Sequence, residues 1–554
     1  MLQSLIMKIR AFVCILILGV LAAMGGAASG GRPVTRPVPE EVPARGDQIV
    51  IAMLEQPKTL LGPFASSDSE TNIASLVFPT LMNLKFNKEL EHVPGLAEKY
   101  ERAADGKTIT FYLKDAQWDD GKPIVASDFV FTYKLIANPD FESDKREYLE
   151  RIESVEAVDA KTIRFKYKNS YYPDNQISDA NVGVLPEHIY KNLTPAEARG
   201  SERAFMPVGH GRFRVASHDG NKLFVLERNP NSKVDNVAYL KRVIFYYTSA
   251  SPEAAKNHLL AGDVDAIDTS RVDDAELILS KGGYTGVVRG LRSIDFVAWN
   301  IKNPLFADRE IRRALTLAIN RGGINSDVFN SKQPGVCAEP VGTIPPAMET
   351  AIVKDLKPLP FDRLEAARIF DRKGWKLGAG GIREKDGKKF TFKLSVNTDT
   401  PRRAQTANMI QQDLRAVGID VQIDGMAFAA LRPRAAAREY DAIIYGFQAS
   451  LQLKQGEVWN TGAAHNYSNY SSAEVDEIIS KVGDENDVTK LRELLKRLQR
   501  IVYEDQPVTF LCWYSRITLH RDRYRNFGAT VLSSSGDIAG CYVPKALQKM
   551  FIGE

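Results

Sequence analysis

The chain has 554 residues, 44% hydrophobic and 26% charged, a composition that argues against disordered, collagen-like and multi-span membrane proteins. At about 100–200 residues per domain, this length predicts about three to four domain-sized units. The net charge is only +4 and no basic run stands out, so we expect no nucleic-acid partner, because phosphate contacts require clustered Lys and Arg.

The N-terminal segment is typical of a secretory signal peptide. Lys8 and Arg10 precede an uncharged apolar stretch of 14 residues, and small residues follow it. That stretch is shorter than the ~20 residues of a membrane-spanning helix, which favours cleavage over a permanent anchor. Because Cys14 lies in mid-stretch, no lipoprotein-type cleavage is expected. We predict a signal peptide over residues 1–28, a Pro-rich disordered leader over residues 29–46, and export of the mature chain to the periplasm.

The next segments predict strands and a helix of a small α+β unit. QIVIAML, from Gln48, has the short apolar run of a buried strand. In KTITFYLKD and in KTIRFKYK, apolar residues alternate with polar ones, a period that indicates an antiparallel sheet with one buried face. Between them Ser127 is a candidate N-cap for a helix with Phe129, Tyr133 and Ile136 on one side.

From about residue 286 the pattern changes to strands alternating with helices. FVAWN predicts an apolar strand, and Asp308 a helix N-cap. FTFKLSVN predicts a strand, followed by a helix with Thr400 as N-cap and Pro401 at its first position. Gly418 ends this helix and IDVQI begins the next strand. This βαβ unit implies a parallel sheet, which EYDAIIYGF would extend.

Three cysteines remain after removal of the signal peptide. In an oxidising compartment this odd number allows one disulfide and one free thiol. Cys512 and Cys541 are nearest in sequence and form the candidate pair, although spacing alone leaves pairing with Cys337 open.

Catalytic and metal motifs are missing from the sequence. It contains no G-x-S-x-G and no H-E-x-x-H. Glu101 stands where a P-loop ending at Gly106-Lys107-Thr108 would need glycine, and Arg214 where a dinucleotide fingerprint would need its third glycine. The seven histidines have no tight ligand spacing. We therefore expect neither an enzyme nor a cofactor or metal centre.

Six segments, in order along the chain, carry the motifs of one family of proteins. They lie between about residues 48 and 520 and read VPGLAEKYERAADGKTITFYLKDAQWDDGKPIVASDFVFTYKLI, PVGHGRFRV followed by LERNP, LAGDVDAI, FADREIRRALTLAIN, QDLRAVGIDVQI and YSNYSSAEVDEII. The ordered set resembles the large oligopeptide/dipeptide-binding family (family 5) of the periplasmic solute-binding proteins of ABC transporters.

This resemblance implies an α/β, two-lobed periplasmic binding protein fold of type II, with an interlobe ligand cleft, a hinge and an extra β-rich subdomain. The implied divisions are lobe 1 from residues 47–80, 205–288 and 511–554, the extra subdomain from residues 81–204, and lobe 2 from residues 289–510.

The implied function is that of the extracytoplasmic binding component of an ABC importer. Such a protein captures a peptide or peptide-like polar ligand and delivers it to the membrane permease, and we expect it to be a monomer. A metal chelate, haem, glutathione, a sugar or an opine-like ligand remains the alternative. A periplasmic enzyme or a chaperone on the same scaffold is a remote alternative.

Three segments of the second lobe are candidate ligand contacts, since ligands of open parallel sheets sit at the carboxyl ends of strands. The first contains Asn397, Asp399 and Arg402, where a helix N-terminus and a guanidinium favour an anion. The simpler interpretation is that Thr400 caps the helix while Arg402 and Arg403 are solvated.

The second segment holds Phe447, Gln448 and Ser450. In dipeptide-binding relatives this loop resembles Trp-x-x-Asp, whose carboxylate holds the peptide ammonium. Here the aromatic side chain persists, but Ser450 replaces the acid, with Asp399 or Glu457 as possible substitutes. A buried ammonium requires a partner charge, so this departure weakens the dipeptide assignment. Phe447 is equally suited to core packing.

The third segment holds aromatic and amide side chains suited to stacking on and hydrogen-bonding a ligand, Trp459, His465, Asn466 and Tyr467. A lone histidine is more often structural. From the first lobe we expect Glu55 and Gln56 to contribute, with Glu55 holding a cationic group unless it lies at a loop surface.

Arg212 and His210 stand where the family usually has Gly-Thr-Gly-Pro, a second departure, and Arg212 either binds an anion or faces solvent. Asn300 either lines the cleft or bonds hinge backbone. Trp118 is expected to be structural.

Overall fold

The computed structural model describes residues 43–78, 80–85, 91–232, 238–249, 251–288, 290–329, 336–346, 351–449, 455–527 and 538–549. The predicted signal peptide and almost all of the predicted leader lie outside these ranges. Among the residues described, no helix combines the length and apolar character needed to cross a bilayer.

The strands are β1 Gln48–Met53, β2 Met82–Lys85, β3 Glu91–Pro94, β4 Ala97–Arg102, β5 Thr108–Leu113, β6 Ile152–Ala157, β7 Thr162–Tyr167, β8 Phe213–Asp219, β9 Leu223–Arg228, β10 Arg242–Tyr247, β11 Ala266–Thr269, β12 Tyr284–Val288, β13 Ser293–Trp299, β14 Cys337–Ala338, β15 Lys376–Leu377, β16 Arg383–Lys385, β17 Lys388–Lys389, β18 Thr391–Asn397, β19 Asp420–Met426, β20 Ala442–Gln448, β21 Val508–Tyr514 and β22 Ile517–Arg521.

The α-helices are α1 Asp68–Val77, α2 Ala126–Ala137, α3 Arg146–Leu149, α4 Pro173–Ala180, α5 Glu187–Tyr190, α6 Glu202–Phe205, α7 Pro252–Ala261, α8 Val272–Ser280, α9 Arg309–Ala318, α10 Arg321–Asp327, α11 Arg363–Arg372, α12 Pro401–Arg415, α13 Phe428–Ala437, α14 Gly456–Trp459, α15 Ala473–Asp484 and α16 Val488–Asp505. Short 3₁₀ turns lie at Gly62–Phe64, Pro139–Phe141, Pro304–Phe306, Ile538–Gly540 and Lys545–Leu547.

The first large sheet has the strand order β12-β22-β11-β1-β10-β9-β8. The predicted strand at Gln48 is confirmed as β1, which pairs in parallel with β10 and with β11. Its buried side chains Ile49 and Met53 join a core with residues from α1 and from β8 to β10. The carboxyl ends of β1 and β11 therefore open at the same edge of this sheet.

The second large sheet has the order β14-β21-β13-β20-β18-β19. The predicted βαβ unit is confirmed as β18, α12 and β19. The two strands pair in parallel, with Thr391 opposite Asp420. The sheet has cores on both faces, and all seven residues of β13 are buried. Asp308 caps α9 as predicted, because its carboxylate accepts the backbone N–H of Glu310 at 2.8 Å.

A four-stranded antiparallel sheet, β4-β5-β7-β6, confirms the antiparallel sheet predicted from KTITFYLKD and KTIRFKYK. Its alternating residues Ile109, Phe111 and Phe165 are fully buried. The capping prediction was wrong, because α2 begins at Ala126 and Ser127 lies in its first turn. Asp128 stabilises the start of the helix instead, because its carboxylate accepts a hydrogen bond from the backbone N–H of Val125 at 3.1 Å. The described residues also form the three-stranded sheet β15-β16-β17 and the two-stranded sheet β2-β3.

The chain passes between the two large sheets from β12 to β13 and again from β21 to β22. The predicted lobe boundary at residue 511 falls inside β21, which pairs with β13 in the second sheet. That boundary is corrected to the connection at residues 515–516, because every residue from Val508 to Trp513 is buried in the second sheet. The other divisions of the chain stay predictions.

The disulfide joins Cys337 and Cys512, with Cα atoms 5.9 Å apart, so the predicted pairing of Cys512 with Cys541 was wrong. The physical reason is the position of the three residues. Cys512 lies in the core of the second sheet, beside β14, which carries Cys337. Cys541 is a buried cysteine outside the disulfide, in the core of the first sheet.

Asp119 joins the β-rich insert to the first large sheet. Its carboxylate accepts the backbone N–H of Gly209 at 3.1 Å and the side-chain amide of Asn229 at 2.5 Å. A Cβ at Gly209 would lie 2.4 Å from a Val77 side-chain carbon, so this approach requires glycine. Burial raises the pKa of Asp119 to about 6.

We predict that the wild type loses stability relative to Asp119→Asn as the pH rises. A folded-state pKa above the unfolded value favours the protonated form, so the contribution is complete below pH ~4 and is lost through pH ~6. The expected drift is about 2–3 kcal/mol between these two pH values. Urea unfolding of both proteins at several pH values measures it. The control Asp115→Asn removes an exposed carboxylate, and its difference from the wild type in free energy of unfolding is expected not to change with pH. A difference that does not change with pH for Asp119→Asn would contradict the prediction.

Candidate functional site

A cleft of about 810 Å³ lies between the two large sheets. One wall is formed by the carboxyl ends of β1 and β11, with the first turns of α1 and α8. The other is formed by the β18–α12 connection, the end of α10 and Tyr514 at the end of β21. Carboxyl ends of parallel strands meet at one edge of a sheet, which is where α/β proteins place their ligand sites.

A buried cluster of three charged groups supports the second-sheet wall of the cleft. Asp295 of β13 is 1% exposed and lies 3.0 Å from Arg402 Nε and 2.7 Å from Arg403 Nη2. Burial alone would raise the pKa of Asp295, but the two guanidinium groups outweigh it and hold the pKa below its ordinary value. A Cβ at Gly446 would lie 2.1 Å from Asp295 Oδ1, so glycine is required beside this cluster.

Arg402 reaches both walls of the cleft. Its Nη2 donates to the Tyr514 hydroxyl at 2.7 Å, and Nη1 lies 3.5 Å from Ser270 Oγ at the end of β11. The guanidinium carbon lies 4.5 Å from the centroid of the Tyr514 ring. Contrary to the solvated interpretation, Arg402 is tied to Asp295 and Tyr514 and forms part of the wall.

The first-sheet wall carries the acidic groups Glu55 and Asp68. Asp68, at the first position of α1, forms an ion pair with Arg516 in the β21–β22 connection. Desolvation by the surrounding protein and the charge of Asp68 raise the pKa of Glu55, although its side chain is open to the cleft. Glu55, which was predicted to lie at the end of a strand of the first lobe, thus lies on the cleft wall.

Five rings form an aromatic group near the carboxyl end of β20, namely Phe428, Tyr445, Phe447, His465 and Tyr467. Tyr445 and Tyr467 have centroids 4.5 Å apart, and Phe447 stacks on His465 at 6.2 Å. The positive charge of Arg432, in α13, opposes the rise in pKa of both Glu55 and Tyr467. Arg432 is therefore close to both the aromatic group and the cleft wall that carries Glu55.

The structure brings only some of the predicted ligand residues to the cleft surface. Glu55, Asp399 and Arg402 line it. Gln56 is exposed beside Glu55, and Gln448 is exposed at the end of β20. Asn397 is buried, and its amide donates to Asp399 and Thr400. Ser450 lies outside the described residues.

Other predicted residues have structural partners. The Trp459 ring is 2% exposed and its N–H donates to Thr343 Oγ1 at 2.8 Å. The Asn466 amide donates to the Asn460 and Tyr470 carbonyls. The Asn300 amide donates to the Tyr440 carbonyl at 2.9 Å, at the end of β13 opposite the cleft. Both Trp459 and Asn466 thus lie in the interior. Asn300 neither lines the cleft nor bonds hinge backbone, because its carbonyl partner belongs to Tyr440, away from the connections between the two large sheets.

The segment with the second family departure lies outside the cleft lining. His210 is buried, with its ring centroid 4.9 Å from that of Trp118, and Trp118 is fully buried, in agreement with its expected structural role. Arg212 is half-buried on the turn before β8 and does not belong to the cleft lining.

Sequence reasoning missed several residues of the cleft lining, among them Asp68, Asp268, Tyr514 and Arg516. It also missed the buried Asp295, which supports the wall from outside the lining. A signal existed for Asp295, an acid within the apolar run SIDFVAW, because a fully buried carboxylate must be paired. Among the described residues, no group of three His, Cys, Asp or Glu side chains is arranged to hold a metal ion.

Comparisons with known proteins agree with this geometry. A family model described as bacterial extracellular solute-binding proteins, family 5 Middle, matches residues 91–469. The oligopeptide-binding protein AppA of Bacillus subtilis (strain 168) is 27% identical over 517 residues, which cover 90% of this chain and 93% of AppA.

Two solved structures share the fold. That of AppA from Bacillus subtilis in complex with a nonapeptide has a TM-score of 0.78 at 24% identity, covering 91% of this chain and all of AppA's (100%). That of NikZ from Campylobacter jejuni in complex with Ni(L-His) has a TM-score of 0.78 at 19% identity, covering 90% and 99% of the two chains.

Proposed function

The chain belongs to the bacterial extracellular solute-binding proteins of family 5, substrate-binding components of ABC transporters, and from this premise we propose that it captures peptides. A peptide binds in the cleft between the two large sheets, and the loaded protein presents it to a membrane permease. The chain acts as a monomer in the periplasm after its signal peptide is removed.

The observation that carries this proposal is the placement of the cleft. Both walls contribute charged side chains and strand ends, while two connections join the sheets, so the walls can close on a ligand as a hinged pair. AppA, which is described as an oligopeptide-binding protein, matches the chain over 90% of its length.

We predict that peptides stabilise the protein against heat. A ligand that binds only the folded state at 100 times its dissociation constant adds about 2.7 kcal/mol to the free energy of unfolding. A series from dipeptides to nonapeptides, tested by thermal denaturation and then by titration calorimetry, identifies the length that binds best.

A cleft-filling variant tests the site. Ser270→Trp places a large ring between the walls, and we expect peptide affinity to fall at least about tenfold, since the ring must be displaced before a ligand enters. Ser280→Trp, at the exposed end of α8, is the matched control and should bind as the wild type does. Stabilisation by a metal chelate, sugar or haem with none by any peptide would overturn the proposed ligand and leave the transport role.

A further inference from the structure

The charge of the cleft is opposite in sign to the net charge of the whole chain. Counted over the residues that the structure describes, its lining includes six carboxylates and three guanidinium groups, those of Glu55, Asp68, Asp268, Asp273, Asp327 and Asp399 and those of Arg271, Arg402 and Arg516. The lining therefore carries three negative charges in excess. Arg292 and Arg432 lie outside the lining, but their charges act on Asp68 and Glu55, respectively. When these two positive charges are added to the count, one negative charge remains in excess.

Each arginine of the lining is already neutralised by a carboxylate of the protein. Arg402 Nε lies 3.0 Å from Asp295, and Arg271 Nε lies 3.1 Å from Asp274. Arg516 forms its ion pair with Asp68. Two of these carboxylates, those of Asp295 and Asp274, are buried and lie outside the lining. An anionic ligand would have to compete with these existing partners.

The acidic side chains are in the opposite situation. Glu55, Asp273, Asp327 and Asp399 have no ion-pair partner among the residues that the structure describes, and each is exposed. They come from both walls, Glu55 and Asp273 from the first sheet and Asp399 from the second. A ligand held between the walls therefore meets carboxylates without an ion-pair partner on both sides, of which Asp399 also accepts hydrogen bonds from the Asn397 amide and the Phe428 backbone N–H.

We propose that the cleft selects peptides with a net positive charge, with Glu55 as an anchor for a ligand ammonium or guanidinium group. The inference rests on the proposed function, because the cavity and the family membership locate the ligand site. The charge of the lining then sets which peptides enter it. Desolvation in a closing cleft strengthens each such pair, and a charge-assisted hydrogen bond changes affinity by about ten- to a hundredfold.

The test compares three peptides of one length, the length that binds best in the series above. In each, Ala alternates with one other residue, which is Lys, Gln or Glu, and both termini are free. Titration calorimetry in low salt is expected to rank affinity Lys over Gln over Glu, with at least about tenfold between successive peptides. Raising the ionic strength from about 0.05 M to 0.5 M should compress this range, because screening shortens the reach of the charges.

Glu55→Gln is expected to weaken the Lys peptide at least about tenfold while changing the Gln peptide less than about threefold. Asp327→Asn provides a second variant with the same expected direction and a smaller effect. Glu504→Gln, on an exposed turn of α16 outside the cleft lining, is the matched control and should leave all three affinities unchanged. Thermal denaturation of each variant establishes that it is folded.

Equal affinity for the three peptides would overturn the selection for positive charge and leave peptide capture intact. A wild-type Lys preference that survives in Glu55→Gln and in Asp327→Asn would overturn the assignment to these carboxylates. If none of the peptides binds, the proposed ligand class fails and the charge selection fails with it.

Discussion

Asp295→Asn is expected to lower the free energy of unfolding by about 3–5 kcal/mol. The substitution leaves two guanidinium groups without their shared carboxylate in a site where Asp295 is 1% exposed, and a buried charge without a partner is costly. Urea unfolding followed by fluorescence measures the loss. A variant as stable as the wild type would contradict the role of this cluster in holding the cleft wall.

The pH dependence of this loss has a defined sign. Since the folded-state pKa of Asp295 is lowered, its contribution is present above the unfolded value of ~3.9 and is lost as the pH falls through the folded value. The stability gap between wild type and Asp295→Asn should therefore close in acid. The control Asp355→Asn removes an exposed carboxylate that pairs with Arg500, and exposed pairs contribute little, so its unfolding midpoint should remain near that of the wild type.

Reduction of the Cys337–Cys512 disulfide is expected to lower the free energy of unfolding by about 2–5 kcal/mol. The bond closes a loop of 175 residues, and closing a long loop restricts the unfolded chain strongly. Chemical denaturation with and without a reductant measures the effect. In the Cys337→Ala variant the reductant should have no further effect.

Peptide mapping under non-reducing conditions checks the pairing itself. We expect a fragment in which Cys337 and Cys512 are linked, with Cys541 alkylated only after unfolding because it is buried. A fragment linking Cys512 to Cys541 would contradict the arrangement of the two cores. The Cys541→Ala variant should retain its sensitivity to reductant.

Much of the fold was predictable because local patterns report local structure. Alternation in KTITFYLKD and KTIRFKYK identified two strands of the insert, and Thr400-Pro401 marked the start of α12. The ordered family motifs supplied the two-lobed architecture. The predicted lobe boundary at residue 511 was wrong because it depended on which strands lie next to each other. β21 pairs with β13, which is more than 200 residues away in sequence. The disulfide prediction failed for the same reason.

The candidate site was predictable only in part. The rule that ligands lie at strand carboxyl ends placed Glu55, Asp399 and Arg402 on the cleft. Trp459 and Asn466 have the same chemistry as ligand-contacting residues, but both side chains donate hydrogen bonds to protein groups in the interior of the second lobe. Sequence pattern does not distinguish these uses, because an aromatic or amide group bonds a protein carbonyl as readily as a ligand. The burial of Asp295 had a signal in the sequence, but its pairing with Arg402 and Arg403 had none, because these partners lie 107 and 108 positions away in the chain.

The most direct test of the account is native mass spectrometry of the protein purified from its host without refolding. Species released by denaturation would be identified by their fragmentation. We predict a mixed set of short peptides enriched in Lys and Arg, released in a ratio of about one per chain. A single non-peptide species, together with no thermal stabilisation by any peptide, would contradict peptide capture in the cleft between the two sheets.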